Sequence, residues 1–476
     1  MSRTLFATAA CALLWISSAA ITHAQTAEAP AASAPEPAAA QPSAIYRTTL
    51  PSGMKIVCRQ EAGAPLVAVN VFVTVGSGLE TSQNAGIGSF VARTLLASTS
   101  IRSQQTIQGE IADLGGSFDV SRQPDWTRIS ALCVSDHFPN MIDLLTDVLK
   151  NATFDTDVVE ERRADVLSDI NDSDAGLFTV TYNGVRSRLF ASSGYALPAV
   201  GTTKSIQRIT RRQIQQYYLR YYVPQNMTVS VVGDIAPEDA VREITHGMAD
   251  YQSTVRGTRR VGAPLVELPV LSGSPEPFHS TMSDLTQICV MSGFRAPSMS
   301  NPDYFALQVA NALLGGMKTS RMFTNLREKQ GLAYDLGSFY SPQLYSGDLT
   351  AYVFAAARPS TDASANTEAI AKIRQLLLDQ ITDLQMKPAT DTEINRAKHY
   401  LIGSQKIKHE RIEDRSYLLG LAEISSNDKG NLDEEFTQKI NAVTSADVQR
   451  VAKKYFAHPA IAVVEPDSKN GGVVLR

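Results

Sequence analysis

The chain has 476 residues, of which 43% are hydrophobic and 19% charged, and its formal net charge is −4. That length exceeds a single hydrophobic core and implies roughly two to four domains, and so ordinary a composition excludes a fibrous or wholly disordered chain. Near-neutral charge, with Lys and Arg scattered along the sequence, leaves no electrostatic footprint for nucleic acid or for an anionic membrane.

In chain order, the first feature is one positive charge at Arg3, an apolar run through Leu14, Trp15 and Ile16, and small residues at Thr22 and Ala24. This pattern predicts a signal peptide over residues 1–24 and an exported, periplasmic protein. Cys11 as a lipid-anchor residue is the alternative, weakened by Thr8, Ala9 and Ala10 before it and by the apolar run that continues beyond it. Residues 25–44 are almost entirely Ala, Pro, Ser, Thr, Glu and Gln, too polar and too short-sided to offset chain entropy, so a disordered leader is expected. No later stretch is long and apolar enough to predict a membrane span. Cys58, Cys133 and Cys289 are widely spaced among apolar neighbours and predict buried thiols.

The patterned part of the chain divides at an Arg/Gly/Pro/Ser-rich stretch, residues 254–276, which reads as a linker between lobes at 45–253 and 277–476. Alternation predicts strands at Met54–Arg59, Val67–Val75, Ser117–Ser121, Thr127–Val134 and Met227–Val232 in the first lobe. Helical spacing covers Ile87–Leu96, Gln105–Leu114, His137–Lys150, Asp155–Asn171, Thr179–Leu189, Thr210–Tyr221 and Pro237–Asp250. The second lobe runs through strand Gln287–Gly293, helices Pro302–Leu314 and Thr319–Gln330, strands Tyr334–Tyr340 and Asp348–Phe354, and helices Asn366–Gln385 and Asp391–Lys408. The segment from Phe154 has the layout of that from Ala389, and the segment from Arg208 has that of the one from Ala442. Each member of the second pair carries a Thr or Ser cap, an amphipathic helix, a Pro turn and a Val-rich strand. The expectation is an α+β fold of two homologous lobes, each a mixed or antiparallel sheet covered by helices.

Four segments carry a more specific signal: LPSGMKIV at Leu50, NAGIGSFVARTLLAST at Asn84, EIADLGGSFDV at Glu110, and LLGGMKTSRMFTNLREKQGLAYDLGSFYSP at Leu313. On these the chain resembles the pitrilysin/insulinase, or inverzincin, family of metallopeptidases over nearly all of residues 45–464. The resemblance implies paired α+β lobes forming half of a clamshell. It also implies a helix bearing H-x-x-E-H, with a third zinc ligand, a glutamate, about 75 residues on. Here that motif is degenerate. Ser89 and Arg93 stand at the histidine positions, Ala92 at that of the glutamate base, and Asp169 at the third-ligand position. A neutral hydroxyl and a permanent positive charge are poor company for Zn²⁺, and without the carboxylate no water is activated. Whether Arg93 and Asp169 pair is open at this stage. The remaining histidines, among them His137, His246 and His279, form no helical pair that could rebuild a site.

The family's second constellation, an arginine and a tyrosine that bind substrate opposite the zinc, corresponds here to Arg327 and Tyr334. Gly331 between them suits the left-handed turn that ends a helix. Gly315 and Gly316 read equally as a helix stop or as a loop that grips substrate. Extended peptides in this family add as a strand to a sheet edge, for which Val67–Val75 is a candidate by position, although core packing is the better reading of its alternate residues. The resemblance therefore implies a subunit inactive alone, with no metal or other cofactor in this chain. It would bind unfolded or extended peptides and lend Arg327 and Tyr334 to the zinc site of a homologous H-x-x-E-H-bearing subunit. The alternative is a wholly non-catalytic structural or peptide-holding homologue.

Overall fold

The computed structural model describes residues 44–191, 193–251, 271–333, 335–358, 363–425 and 432–467. The expected signal segment, nearly all of the leader, most of the 254–276 linker and Tyr334 lie outside the described residues.

The first lobe opens with strands β1 (Tyr46–Thr49), β2 (Lys55–Gln60) and β3 (Leu66–Val73), followed by helices α1 (Ile87–Thr94) and α2 (Gln104–Asp113). Strands β4 (Ser117–Arg122) and β5 (Thr127–Val134) lead to helices α3 (Phe138–Asn151), α4 (Thr156–Ala175), α5 (Leu177–Phe190), α6 (Thr203–Arg208) and α7 (Arg211–Tyr221). Strand β6 (Met227–Gly233) and helix α8 (Pro237–Gly247) close the first half. The second half holds β7 (Phe278–Met282), β8 (Gln287–Ala296), α9 (Tyr304–Asn311), β9 (Asp335–Pro342) and β10 (Gly347–Ala356). It ends with α10 (Ala363–Met386), α11 (Asp391–Lys408), α12 (Ile412–Ser425), α13 (Phe436–Ala442), α14 (Ser445–Tyr455) and β11 (Ala460–Pro466).

The strands form two sheets, ordered β1-β2-β6-β3-β5-β4 and β7-β11-β8-β10-β9. Leaving β1 aside, the two orders are the same under the correspondence β2/β7, β6/β11, β3/β8, β5/β10 and β4/β9. The directions agree as well: β2–β6 and β7–β11 are the parallel pairs, and the other neighbours run antiparallel. The duplication legible in the sequence is thus a duplication of topology. Its local cause is visible at the caps: Thr210 with Gln213 and Thr444 with Asp447 form reciprocal capping boxes at the starts of α7 and α14, each helix leading into a central strand.

Between the lobes each half gives up one helix to the other. Helix α5 packs on β8 and β11 of the second sheet, while α12 packs on β3 and β6 of the first. Both crossings are close because a glycine lies at the contact. Gly184 on α5 sits against the Phe278 ring, and Gly420 on α12 against the Phe72 ring and Ser230. Helix α12 is further pinned by buried hydrogen bonds: Asn70 Nδ2 donates to Ser416 Oγ at 2.9 Å, and Ser230 Oγ donates to the Ser416 carbonyl at 2.8 Å. Phe72 is wholly buried there, a burial that stabilises by about 2–3 kcal/mol.

This arrangement corrects one expectation. Strand β3 lies in the interior of its sheet, paired along its length with both β5 and β6, so it offers no edge to a peptide. Its run of apolar residues on both faces is that of a strand covered on two sides. The outer strands are β1 and β4 in one sheet, β7 and β9 in the other. The three cysteines are buried and free, and burial pushes each thiol up to about 12.

Candidate functional site

The first-lobe cluster is built on α1. The helix starts at Gly86, whose φ of +88° is in the left-handed region, and a Cβ there would stand 2.6 Å from the Val200 carbonyl oxygen. Six residues earlier, the side chain of Glu80 is completely buried beneath the helix start and accepts the N–H of Gly86 at 2.7 Å and that of Gly88 at 3.0 Å. An anion at this point satisfies two orphan donors and complements the positive end of the helix. The same carboxylate is ion-paired to Arg122 at the end of β4. Gly88 makes the room: a Cβ there would meet the Arg122 guanidinium at 2.6 Å. Burial pushes the Glu80 carboxyl up against the pull of Arg122 and the two amides. Burial also works against the Arg122 charge, but Glu80 prevails and the guanidinium is held protonated. Every close partner of the Glu80 oxygens is a donor, so the pair is ionised.

Ser89 is consumed by this network. Its hydroxyl donates to the Ala199 carbonyl at 3.1 Å and accepts from Arg122 at 2.9 Å, and the same Arg122 nitrogen reaches Ala199 O at 2.9 Å. Ala92 presents only a nearly buried methyl. Arg93 forms an ion pair with Asp169 on α4, both side chains being about two-fifths exposed. Such an exposed pair adds at most about 1 kcal/mol, but it occupies the one carboxylate that remains at a ligand position.

These residues do not fit the family's zinc. The hydroxyl at the first position is spent on its neighbours, the second position is a guanidinium already bound to the third, and a second guanidinium stands within hydrogen-bond reach of the first. Among the described residues no group of three or more His, Cys, Asp or Glu side chains could hold a metal ion.

Arg327 belongs to a different place. It lies on a π-helical turn, Phe323–Glu328, with its guanidinium 4.9 Å from the centroid of the Phe323 ring one turn back. The turn ends where the sequence predicts, at Gly331 with φ +59°: the Gly331 N–H returns to Arg327 O at 3.1 Å, and the Leu332 N–H to Leu326 O at 3.0 Å. Instead of the continuous α-helix expected over Thr319–Gln330, the chain widens into this π turn. A second π turn, Ala312–Gly316, precedes it. There Gly315 lies so close to β9 that a Cβ would meet the Ser338 nitrogen at 2.5 Å, so its lack of a side chain serves helix–strand packing.

Arg327 opens into a groove of about 690 Å³, lined by Gly315, Lys318, Phe323, Tyr352, Arg396 and Tyr400 among others, all from the second lobe. It shares no lining residue with the first-lobe cluster, so the two constellations are separate sites in this chain. Sequence reasoning missed Glu80 and Arg122, which no helix or strand period marks. It also missed Lys318, Arg396 and Tyr400, although the spacing of the last two by four on α11 signals a common face.

Comparison with known proteins follows this division. Residues 55–203 match the family model described as insulinase (peptidase family M16), and residues 208–401 match the model described as the peptidase M16 inactive domain. An uncharacterized zinc protease of Mycobacterium tuberculosis is 30% identical over 407 residues, covering 86% of this chain and 90% of that protein. Among solved structures, a protease from Helicobacter pylori aligns with a TM-score of 0.82 at 17% identity, over 90% of this chain and 100% of that one. A peptidase M16 inactive domain from Pseudomonas fluorescens aligns with a TM-score of 0.77 at 20% identity, over 89% and 98%.

Proposed function

Given that the chain belongs to the insulinase family of peptidases, family M16, and lacks that family's zinc motif, we propose that it is the substrate-binding, non-zinc subunit of a heteromeric metalloendopeptidase. Its partner is a homologous subunit with an intact H-x-x-E-H, which holds the metal, the base and the attacking water. This chain carries no zinc and hydrolyses nothing alone. Export to the periplasm is part of the proposal and rests on the signal-like residues at the start of the sequence. No helix among the described residues is long and apolar enough to cross a membrane.

One observation carries this reading. The residues at the zinc-ligand positions are engaged by their own neighbours, whereas Arg327 lines a groove of about 690 Å³. A guanidinium there can donate two parallel hydrogen bonds to a peptide carbonyl or carboxylate. The hydroxyl of Tyr334 would donate to the oxygen on which charge develops as the scissile carbon becomes tetrahedral. Binding and orienting the peptide are this chain's work, and the bond is broken by the partner.

The test is reconstitution. Purified alone, the chain should contain no stoichiometric zinc and cleave no peptide. Mixed with the partner subunit it should support hydrolysis, which Arg327→Ala or Tyr334→Phe lowers by about 10²-fold or more in kcat/KM. Chelator-sensitive turnover by the isolated chain would overturn the assignment. Activity of the mixture that ignores both substitutions would favour the non-catalytic, peptide-holding alternative.

A further inference from the structure

The groove around Arg327 is unequal in charge. Lys318, Arg327 and Arg396 bring three cations to its wall, and Asp335 is the single carboxylate among its lining residues. Burial first and Asp335 second raise the pKa of Tyr352 beside it. Among the described residues neither Lys318 nor Arg396 has a carboxylate within ion-pair distance. Arg321, six residues before Arg327, shows what satisfaction would look like: it is tied to Glu393 at 2.9 Å and does not line the groove. Aromatic surface lies between the cations. Phe323 stacks beneath Arg327, Tyr352 rises from β10, and Tyr400 is 46% exposed on α11, one turn beyond Arg396.

We infer that this groove selects peptides by charge: it takes an extended segment in which a carboxylate lies beside an aromatic or large apolar side chain. The carboxylate is recognised by Lys318 and Arg396, with Arg327 left to the backbone, and the apolar side chain lies against Phe323, Tyr352 and Tyr400. Three cations around one cleft steer an acidic segment toward it. A lysine- or arginine-rich segment meets repulsion in the same place. The inference rests on the proposed substrate-binding role and narrows it to a class of substrate.

Fluorescence anisotropy with the full chain tests it through three labelled peptides of one aromatic-containing sequence. One has an internal glutamate and an amidated C-terminus. The second has glutamine there with the same amide, and the third has glutamine with a free C-terminal carboxylate. At low ionic strength the acidic peptides should bind about fivefold or more tightly than the neutral one, with the advantage shrinking as salt rises. The two acidic arms separate a side-chain carboxylate from a chain terminus. Lys318→Gln with Arg396→Gln should abolish the advantage, bringing the acidic peptides to the affinity the same variant shows for the neutral one. Arg396→Glu, a substitution at an exposed helix position, should reverse the preference. Equal binding of all three peptides, or a preference that survives the double substitution, overturns the inference. If reconstituted hydrolysis needs Arg327 while binding ignores charge, charge selection alone falls. If acidic peptides bind selectively but no partner restores hydrolysis, the catalytic role falls and the groove's chemistry stands.

Discussion

Replacing Glu80 by glutamine probes the clamp under α1 with a change of only one atom. The glutamate side chain is fully buried, that of Arg122 is 9% exposed, and the carboxylate accepts from two backbone amides and the guanidinium. Glutamine keeps one acceptor oxygen, turns a donor toward donors, and leaves Arg122 as a buried charge without a counter-ion. Breaking a buried pair in this way costs about 3–5 kcal/mol. If a lobe of roughly 200 residues unfolds as the cooperative unit, its unfolding entropy turns that cost into a Tm lower by about 7–11 °C. If both lobes unfold together, the entropy doubles and the shift is about half as large. Urea unfolding followed by the fluorescence of Trp126, which is 2% exposed at the start of β5, gives the free energy directly. The double variant Glu80→Gln/Arg122→Met should recover much of the loss, because it removes the stranded charge together with its partner. A Glu80→Gln protein within 1 kcal/mol of the parent, or a double variant less stable than the parent by the sum of the two single losses, would refute the ion-pair reasoning.

Three further predictions follow from the same geometry. Asp125, in the turn between β4 and β5, accepts from the Tyr195 hydroxyl and from the backbone N–H groups of Leu344 and Tyr345 in the other lobe, and burial pushes its carboxyl up to about 6. The folded state therefore holds this proton more tightly than the unfolded chain. The stabilisation is fully present below the unfolded value near 3.8 and is lost as pH rises through about 6. Comparing urea midpoints of the parent and Asp125→Asn between pH 4 and 8 should show a parent-only decline of about 2.4 kcal/mol; parallel profiles would refute it. Gly420→Val should loosen α12 from the first sheet, because its side chain would drive into Phe72, with a loss of about 2–3 kcal/mol in urea unfolding. A valine variant as stable as the parent would refute that contact. Finally, the triple change Ser89→His, Ala92→Glu, Arg93→His should still bind less than stoichiometric zinc by elemental analysis while Arg122 remains beside position 89, and further replacement of Arg122 by glutamine should raise the content. One zinc per chain in the triple variant would show that Arg122 is no obstacle.

Much of this molecule is legible in one dimension. Strand alternation, capping boxes and the Gly331 turn are local, so they mark the elements of both halves, and the repeated order of those elements anticipates two sheets of the same topology. The loss of the zinc motif is equally local, since Ser89, Ala92 and Arg93 are read off one helix. What needed the third dimension is everything fixed by contacts between distant segments. Helix α5 follows the first-half pattern yet covers the second sheet, and α12 does the reverse, because a helix's apolar stripe says that it must be buried and not against what. The apolar run of strand β3 says that both its faces are covered, and its pairing with β5 and β6 shows that its edges are taken as well. The pairing of Glu80 with Arg122 joins residues 42 positions apart, and Arg396 meets Lys318 and Arg327 around one groove from 78 and 69 positions away. Charge placement at such separations leaves no period in the sequence. Sequence thus determined which of the family's motif residues this chain lacks, and the folding of two lobes around exchanged helices decided which charges came to stand together.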